Sequence, residues 1–536
     1  MRALPNRVIA AFILLCLPYL ALGVWLERTK GLQSEAAFVA SVVLLMCATA
    51  LAARTWRRFF LLQFPLLLLG AAFAAYTLSF DARPGKSIAL VLATSSWAEF
   101  QGFFGIWQGK RMLLAALSLA LLYLLLAVRS PSRPMFSGGN KYLYWGLVSA
   151  VILPSAYAAQ NAVAFVEGVA ANPVIGTAMF VAGPLRDANA SVDGRAIRKL
   201  PYGASRVDQD EEVHILVIGE SARRDSWSVY GYQRETTPKL EKLRGETIFF
   251  QHAVADANLT IYAVPILLTG IAPSRFDMKA ITGSLVDLAE EAGYSTTWLM
   301  NQDPHISLLT GIHADRMAFP PISTVVEANL PLDETLLPGL QHEIERRGKS
   351  RFIGLHMFGS HWEYALRYPA AFKHFGSGTE LSHLSFLSGQ PDPRVLDAYD
   401  NSVTYTDWFL GQVIDQARTL SVPATVTYIS DHGEDLLMLD GRAGHGTHAY
   451  SKHQFDIPAF VWVNAAYRQV HPAKVQAMTQ NAAKEVRSHN VFYSLADLMG
   501  IQWPGASPAQ SFASTSFIPD LSPQVIAGGA LISRVE

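Results

Sequence analysis

Two carboxylates and one imidazole follow two separate apolar runs of this chain. Residues 213–218 form a run that ends at Gly219-Glu220, and residues 425–429 form one that ends at Ser430-Asp431-His432. In a parallel sheet such residues lie beyond the carboxyl ends of strands, where sites are built. Oxygen and nitrogen ligands suit zinc when thiolates are absent, so the pattern predicts a zinc site. Taken singly, each residue has a simpler interpretation as a helix cap or a hydrogen-bonded histidine.

The histidines cluster in the same part of the chain. His356 and His361 flank one run of small and apolar residues, and a later run carries His445, His448 and His453. The chain has 15 histidines, and none of them lies in residues 1–160. This distribution favours a metal and phosphate site in the polar half of the protein.

A hydroxyl nucleophile is offered by Thr260, which precedes the apolar run Ile261–Leu268. At a helix N-terminus, backbone N–H groups favour an alkoxide and a phosphoryl oxygen, and a zinc ligand has a lowered hydroxyl pKa. The alternative interpretation is an ordinary N-cap threonine.

Strand-like and helix-like segments alternate around these residues. The strand-like runs are 213–218, 295–299, 352–356, 425–429 and 459–463, and helical windows lie at 284–292, 338–347 and 395–418. Alternation of this kind predicts an α/β domain with a mostly parallel sheet.

Composition separates this domain from a membrane part. Half of the 536 residues are hydrophobic, 16% are charged and the mean hydropathy is +0.20, which predicts membrane-spanning helices. Residues 1–160 carry a net charge of +10 and residues 161–536 one of −11, which excludes a strongly basic nucleic-acid binder. Both cysteines, Cys16 and Cys47, lie in apolar runs, so the polar part has no disulfide or thiolate zinc site.

Five uncharged stretches predict transmembrane helices, at 8–26, 36–53, 59–80, 112–128 and 142–166. We expect a transmembrane domain at 1–166, a periplasmic linker at 167–210 and a catalytic domain at 211–536. The basic loop 54–58 indicates the cytoplasmic side, so five spans place the catalytic domain outside the cytoplasm. Residues 87–109 are predicted to lie in the membrane interface, the alternative being a sixth span.

The ordered motifs resemble those of the phosphoethanolamine transferases, inner-membrane enzymes with an alkaline-phosphatase-like, sulfatase-superfamily domain. The similarity rests on these segments: Ile218-Gly219-Glu220-Ser221-Ala222-Arg223, Thr236-Thr237-Pro238, Thr260 with Pro265, Asn301-Gln302, Gly359-Ser360-His361, Ser430-Asp431-His432-Gly433-Glu434, His445-Gly446 and Ser488-His489-Asn490. The resemblance implies that Glu220, Thr260, Asp431 and His432 bind zinc and that Thr260 is the nucleophile. It further implies that His361 and His445 hold the phosphoryl group or a second zinc, and that Asn301 contacts the donor.

The function implied by this resemblance is transfer of phosphoethanolamine from phosphatidylethanolamine to lipid A, a lipopolysaccharide core or a glucan, in a bacterial inner membrane. Two departures from the family leave the acceptor open: the polar domain has no cysteine, and His305 stands near the usual position of a lysine. The alternatives are a phosphoglycerol transferase, a phosphatase or sulfatase-type hydrolase of the same superfamily, and a membrane sensor with a degenerate domain.

Overall fold

The computed structural model describes residues 6–80, 107–135, 141–177, 201–206, 210–302, 314–318, 331–362, 364–376, 393–436, 443–446 and 450–534. The chain divides into two compact units, one formed by residues 1–93 and 104–188 and the other by residues 94–103 and 189–536. His305, His448 and residues 87–106 of the predicted interfacial segment lie outside the described residues.

The first unit is helical. Its described helices are α1 (Asn6–Lys30), α2 (Leu32–Ala53), α3 (Trp56–Phe80), α4 (Trp107–Val128), α5 (Lys141–Ala158), α6 (Ala162–Ala171) and α7 (Pro173–Thr177). Within the described ranges, three helical stretches are long and apolar enough to cross a membrane: Asn6–Lys30, Leu32–Ala53 and Trp56–Ala74. The unit therefore has the character of a membrane anchor, with three candidate spans rather than the five predicted.

The predicted fifth span, 142–166, is divided between two helices. Helix α5 ends at Ala158, and α6 begins at Ala162 after a turn in which Asn161 Oδ1 accepts a hydrogen bond from Ala164 N at 3.1 Å. An asparagine N-cap of this kind starts a new helix, and an uninterrupted hydropathy pattern does not reveal it. The predicted fourth span, 112–128, lies within α4 (Trp107–Val128).

The second unit contains a seven-stranded sheet. Its strands are β2 (Val213–Gly219), β3 (Thr247–Phe249), β5 (Ser295–Met300), β6 (Arg316–Ala318), β7 (Arg351–His356), β8 (Ala424–Ser430) and β12 (Ala459–Val463). Their order across the sheet is β3-β12-β8-β2-β7-β5-β6. Smaller pairings involve β1 (Ser205–Arg206), β4 (His252–Val254), β9 (Asp435–Leu436), β10 (Ala443–Gly444), β11 (Asp456–Ile457), β13 (Glu485–Arg487), β14 (Ile501–Gln502), β15 (Gln524–Ala527) and β16 (Ala530–Ser533).

The sheet is mixed, and the prediction of a mostly parallel sheet was wrong at one edge. Strands β8, β2, β7, β5 and β6 pair in parallel, whereas β12 is antiparallel to both β8 and β3. A continuously apolar run indicates a buried strand and carries no information on its direction. The described residues between β8 and β12 contain no α-helix, and parallel neighbours need a long, usually helical, crossover.

Helices cover both faces of the sheet. They are α8 (Pro238–Lys242), α9 (Thr260–Thr269), α10 (Leu285–Glu291), α11 (Leu337–Glu345), α12 (Pro393–Arg418), α13 (Ala465–Val470), α14 (Pro472–Asn481) and α15 (Asn490–Leu498). Side chains of α9, α10 and α15 join Leu216 and Ile218 in one core layer, and side chains of α8, α11 and α12 join Ile215 and Val217 in the other. Alternate residues of β2 thus pack into the two core layers on opposite faces of the sheet, as expected of an α/β sandwich.

Candidate metal centre and nucleophile

The two predicted carboxylates lie side by side because their strands are neighbours in parallel register. Gly219 of β2 pairs with Ser430 of β8, so Glu220 and Asp431 follow at the same edge. The backbone N–H of Asp431 donates to Gly219 O at 3.1 Å, which extends the pairing by one residue. Ser221 then adopts a left-handed conformation, with φ at 55°, and the chain leaves the sheet there.

Thr260 is the first residue of α9, and its side chain faces this edge of the sheet. Its hydroxyl Oγ1 lies 3.0 Å from Glu220 Oε2 and 3.3 Å from His432 Nε2. The N-cap position belongs to Leu259, and no side chain caps the helix. The interpretation of Thr260 as an ordinary N-cap is therefore excluded.

His432 presents the nitrogen that a metal needs. Its Nδ1 lies 2.9 Å from Gly433 O, and because a carbonyl only accepts, Nδ1 carries the proton and Nε2 keeps a lone pair. Nε2 lies 3.3 Å from Glu220 Oε1 and 3.4 Å from Asp431 Oδ2. Four ligand atoms on a tetrahedral zinc, each at about 2.0–2.1 Å, would lie about 3.3 Å apart. The four side chains therefore match a zinc site in spacing and in chemistry.

The electrostatics of the cluster also fit a cation. Asp431 Oδ2 is buried and accepts no hydrogen bond among the described residues. Burial, and then the neighbouring Asp431 charge, raise the pKa of Glu220, and burial raises the pKa of Asp431 to about 7. Two buried carboxylates this close repel each other, and a bound divalent cation would remove that cost.

His361 and His445 border the same cluster, and together with Glu220 they form a second group whose ligand atoms lie within 4.8 Å of one another. His361 Nδ1 donates to Trp362 O at 2.8 Å, and His445 Nδ1 lies 2.9 Å from Glu434 Oε2. Desolvation lowers the pKa of His361 to about 4 and that of His445 to about 3. Both imidazoles are therefore neutral at pH 7, as metal ligands must be.

Asn301 lies behind the site instead of joining these two groups. It is buried, and its side-chain Nδ2 donates to Pro331 O at 2.7 Å and to Asp333 Oδ1 at 2.8 Å. Asp333 in turn accepts from the N–H groups of Phe358 and Gly359. Gly359 has φ at +50°, and a Cβ there would come within 2.8 Å of Glu220 O. In this structure Asn301 supports the turn that packs on Glu220, while contact with a donor stays a prediction.

Three further residues touch the site that the sequence had not assigned to it. Gln302 Nε2 donates to Glu220 Oε2 at 3.3 Å and to Met357 O at 2.7 Å. Ser221 Oγ donates to Glu220 Oε1 at 2.7 Å, and Glu434 holds His445. Each lies one or two positions after an assigned residue that follows a strand, and this position was the available signal.

Two other histidines lie outside the candidate metal centre. His356 is buried at the end of β7, and neither of its ring nitrogens makes a hydrogen bond within the described part of the chain. His453 Nδ1 lies 2.8 Å from Asp225 Oδ2 at the surface. Neither belongs to the two metal-ligand groups.

Part of this chain resembles known proteins in sequence. The profile of the family described as Sulfatase matches residues 213–501. Phosphoethanolamine transferase EptC of Escherichia coli (strain K12) is 25% identical over 313 residues, which cover 56% of this chain and 53% of that protein. Kdo(2)-lipid A phosphoethanolamine 7''-transferase of the same strain is 28% identical over 288 residues, covering 53% and 49%. The chain spans about half the length of the curated relatives it matches.

Solved structures share the fold. The integral membrane protein lipooligosaccharide phosphoethanolamine transferase A (EptA) from Neisseria meningitidis superposes with a TM-score of 0.68 at 22% identity, covering 92% of this chain and 98% of that one. The C-terminal periplasmic domain of EcEptC from Escherichia coli, in complex with Zn, superposes with a TM-score of 0.55 at 22% identity, covering 62% and 96%. The likeness to EptA extends the shared fold to the helical unit.

Proposed function

The chain belongs to the sulfatase family, and from that premise we propose that it transfers phosphoethanolamine from phosphatidylethanolamine to a glycolipid acceptor. One observation carries the proposal: the Thr260 hydroxyl lies 3.0 Å from Glu220 Oε2 and 3.3 Å from His432 Nε2. A hydroxyl among metal-ligand side chains at a helix N-terminus is placed for attack on phosphorus. The names of the two relatives supply the transferred group, and one of them supplies a lipid A acceptor.

The proposed location is a bacterial inner membrane, crossed several times, with the second unit in the periplasm. The three apolar helices support membrane attachment, and the basic loop 54–58 supports a cytoplasmic position for its side of the membrane. An odd number of spans then leads the chain out of the cytoplasm. Attachment to the bilayer confines the search for a lipid donor and a lipid-linked acceptor to one surface.

Zinc is the proposed metal, held by Glu220, Thr260, Asp431 and His432. A zinc ion in that position supplies Lewis-acid stabilisation of phosphoryl charge and lowers the pKa of the threonine hydroxyl. His361 keeps its Nε2 lone pair because Nδ1–H donates to Trp362 O, and His445 does so when Glu434 is ionised. An unprotonated nitrogen cannot donate to a phosphoryl oxygen, so these two histidines, with Glu220, are better suited to a second cation.

In the first half-reaction, Thr260 Oγ1 attacks the donor phosphorus and loses its proton. The bond between phosphorus and the diacylglycerol oxygen breaks, and diacylglycerol leaves after taking up a proton, which leaves phosphoethanolamine on Thr260. The role of Glu220 is to fix the attacking oxygen through its short contact with Oγ1. Ser221 and Gln302 fix Glu220 in turn.

In the second half-reaction, an acceptor oxygen attacks the same phosphorus and the threonine oxygen departs. The acceptor loses one proton and Thr260 regains one, so the enzyme returns to its starting state. A hydrolase of the same superfamily would differ here only in using water, and the modified glycolipid is therefore the product that separates the two activities.

The test uses the full chain in lipid vesicles that contain phosphatidylethanolamine and lipid A. We expect wild-type protein to carry a phosphoethanolamine adduct on Thr260 by peptide mass spectrometry, and to yield lipid A heavier by one phosphoethanolamine. Thr260→Ala should lose both, by about 1,000-fold or more in rate, because the covalent step has no nucleophile.

Thr260→Ser is the matched control, since it keeps a hydroxyl at the same position and should retain measurable transfer. Modified lipid A produced at a near-normal rate by Thr260→Ala would overturn the covalent mechanism. Release of free phosphoethanolamine without modified lipid would identify a hydrolase instead.

A further inference from the structure

The residues just before Thr260 are bound on both sides by buried hydrogen bonds to other parts of the domain. We infer that Asn258 is a positioning residue, which holds the Thr260 hydroxyl in register with the loop that carries Asp431 and His432. The inference rests on the proposed function, because it concerns where the proposed nucleophile lies. Asn258 is fully buried, so its effect on the reaction passes through other residues.

One side of the connection reaches the metal-ligand loop. Asn258 Nδ2 donates to Gln454 Oε1 at 2.7 Å, and Gln454 Nε2 donates to Asp435 Oδ2 at 2.7 Å. The backbone carbonyl of Gln454 accepts from Gly433 N at 2.8 Å. Gln454 is also buried. Through this one glutamine, Asn258 is joined to the residue that directly follows His432 and to a residue four positions beyond Asp431.

The other side of the connection reaches the C-terminal hairpin of β15 and β16. Asn258 Oδ1 accepts from Gly528 N at 3.0 Å, and Asn258 N donates to Ile526 O at 3.1 Å. Ile526 N donates to Asp256 O at 2.8 Å. Ala257 thus forms a single parallel β-bridge with Ile526 of β15, and the Asn258 side chain joins the hairpin to Gln454.

Leu259 adds an apolar contact to a second loop, the one that carries His445. A Cβ placed on Gly446 would come within 2.4 Å of Leu259 Cδ2, so the leucine fills the space over the residue that follows His445. Gly446 has φ at +77°, a conformation that favours glycine. Leu259 thus lies against the loop of His445, and Asn258 is joined to the loop of His432 through Gln454.

The connection matters because the site is assembled from segments that are distant in sequence. Thr260, Glu220 and His432 come from α9 and from the ends of two strands, and only tertiary contacts fix the 3.0 and 3.3 Å distances among them. A displacement of about 1 Å in a reacting group can cost about 100-fold in rate. Loss of the Asn258 amide removes its side-chain hydrogen bonds to Gln454 and to Gly528 N, two residues before Thr260.

The experiment compares four variants of the full chain: Asn258→Ala, Asn258→Gln, Gln454→Asn and the double variant Asn258→Gln/Gln454→Asn. Each single change should lower kcat roughly 10- to 100-fold, with the donor KM and the zinc content unchanged. The double variant moves one methylene from one side chain to the other and restores their summed length. We expect it to recover most of the lost kcat, which a merely destabilising pair of mutations would not do.

A second readout does not depend on activity. Amide hydrogen exchange of residues 257–264, measured by mass spectrometry, should accelerate at least tenfold in Asn258→Ala and return towards wild type in the double variant. Asn481→Ala is the matched control: Asn481 is a buried asparagine whose amide donates to Phe512 O and Ser514 O. It should change neither kcat nor exchange at 257–264.

Wild-type exchange and wild-type kcat in Asn258→Ala would overturn the inference. A wild-type protein without transfer activity would refute the proposed function alone, because the exchange comparison still tests the connection.

Discussion

The two ends of strand β2 carry clusters of similar residue types, carboxylates, histidines and a threonine, whose polar groups are satisfied to different degrees. At the amino end, Glu212 lies between His214 and His471, with Glu212 Oε2 3.1 Å from His214 Nε2 and Oε1 2.6 Å from His471 Nε2. The remaining nitrogen of His214, Nδ1, lies 2.9 Å from Thr425 Oγ1. At the carboxyl end, Asp431 Oδ2 and Glu434 Oε1 are buried without a hydrogen-bond partner among the described residues.

The carboxylate pKa values of the two clusters are shifted in opposite directions. Burial raises the pKa of Glu212, but hydrogen bonds and charges from His214 and His471 outweigh it, and the net effect lowers this pKa. Burial raises the pKa of Asp431 to about 7. The amino-end cluster satisfies its own groups, whereas burial raises the carboxylate pKa values at the carboxyl end, and a bound cation would lower them. The unsatisfied carboxylate oxygens, together with the clustering of ligand residues, therefore favour the carboxyl-end cluster as the candidate metal site.

The largest effect should come from removing a charge at the carboxyl end. Asp431→Asn should lower zinc affinity and transfer rate on the order of 100-fold or more. Loss of a residue that only hydrogen-bonds to a metal ligand costs about 10- to 100-fold, and Asp431 is itself a proposed ligand. Zinc content by elemental analysis and the transfer rate in vesicles would be measured on the same preparation. Full zinc content together with full activity would exclude Asp431 as a ligand.

Glu212→Gln is the matched variant at the amino end. It also replaces a buried carboxylate by its amide, but it should leave zinc content and transfer rate unchanged. It should instead lower the free energy of unfolding by about 1–3 kcal/mol, because a buried charge-assisted hydrogen bond is lost. Loss of zinc in this variant would contradict the proposed contrast between the clusters.

A smaller effect is expected from Gln302, which donates to Glu220. Gln302→Met keeps the length of the side chain and removes both donors, so it should lower kcat roughly tenfold while zinc stays bound. Gln416→Met is the control, since the Gln416 side chain makes only one long hydrogen bond among the described residues, 3.4 Å from Nε2 to Leu337 O. Equal kcat values in the two variants would show that the donor to Glu220 is dispensable.

The proximity of the candidate site residues was predictable from sequence where they directly follow apolar strands. The runs before Glu220 and Asp431-His432 are the neighbouring strands β2 and β8, and their parallel register brings these residues together. Thr260 was predicted from its place before an apolar helix and from the family resemblance. The predicted helical windows correspond to α10, α11 and α12.

Contacts between distant segments could not be predicted. The sequence motif contains Asn301-Gln302 as a pair, and only the folded chain shows that Gln302 faces Glu220 while Asn301 faces Asp333. The direction of β12 and the helix break at Asn161 were missed for a related reason. Each depends on one hydrogen-bond pattern that leaves the hydropathy of the run unchanged.

The smallest effect we predict concerns the pH dependence of stability at the amino end. Burial lowers the pKa of His214, while the Glu212 carboxylate acts in the opposite direction and the charges of Lys474 and His471 add to the lowering. Below a pH of about 6.5 the unfolded chain binds a proton at this histidine that the folded chain does not. Folding stability should therefore fall as the pH is lowered from about 6.5 towards the depressed folded pKa.

His214→Gln tests this, because glutamine fills much of the space of the imidazole and does not titrate. Unfolding would be followed by denaturant titration of the full chain between pH 7.5 and 5. The slope of stability against pH should be smaller in His214→Gln than in wild type, by up to about 1.4 kcal/mol per pH unit, which corresponds to one proton.

Thr425→Val is the matched control, since it removes the partner of His214 Nδ1 and keeps the titrating ring. It should lower stability across the range while preserving most of the slope. Identical slopes in wild type and His214→Gln would mean that this ring is protonated as readily in the folded chain as in the unfolded chain. The proposed electrostatic contrast between the amino-end cluster and the candidate metal site would then be wrong.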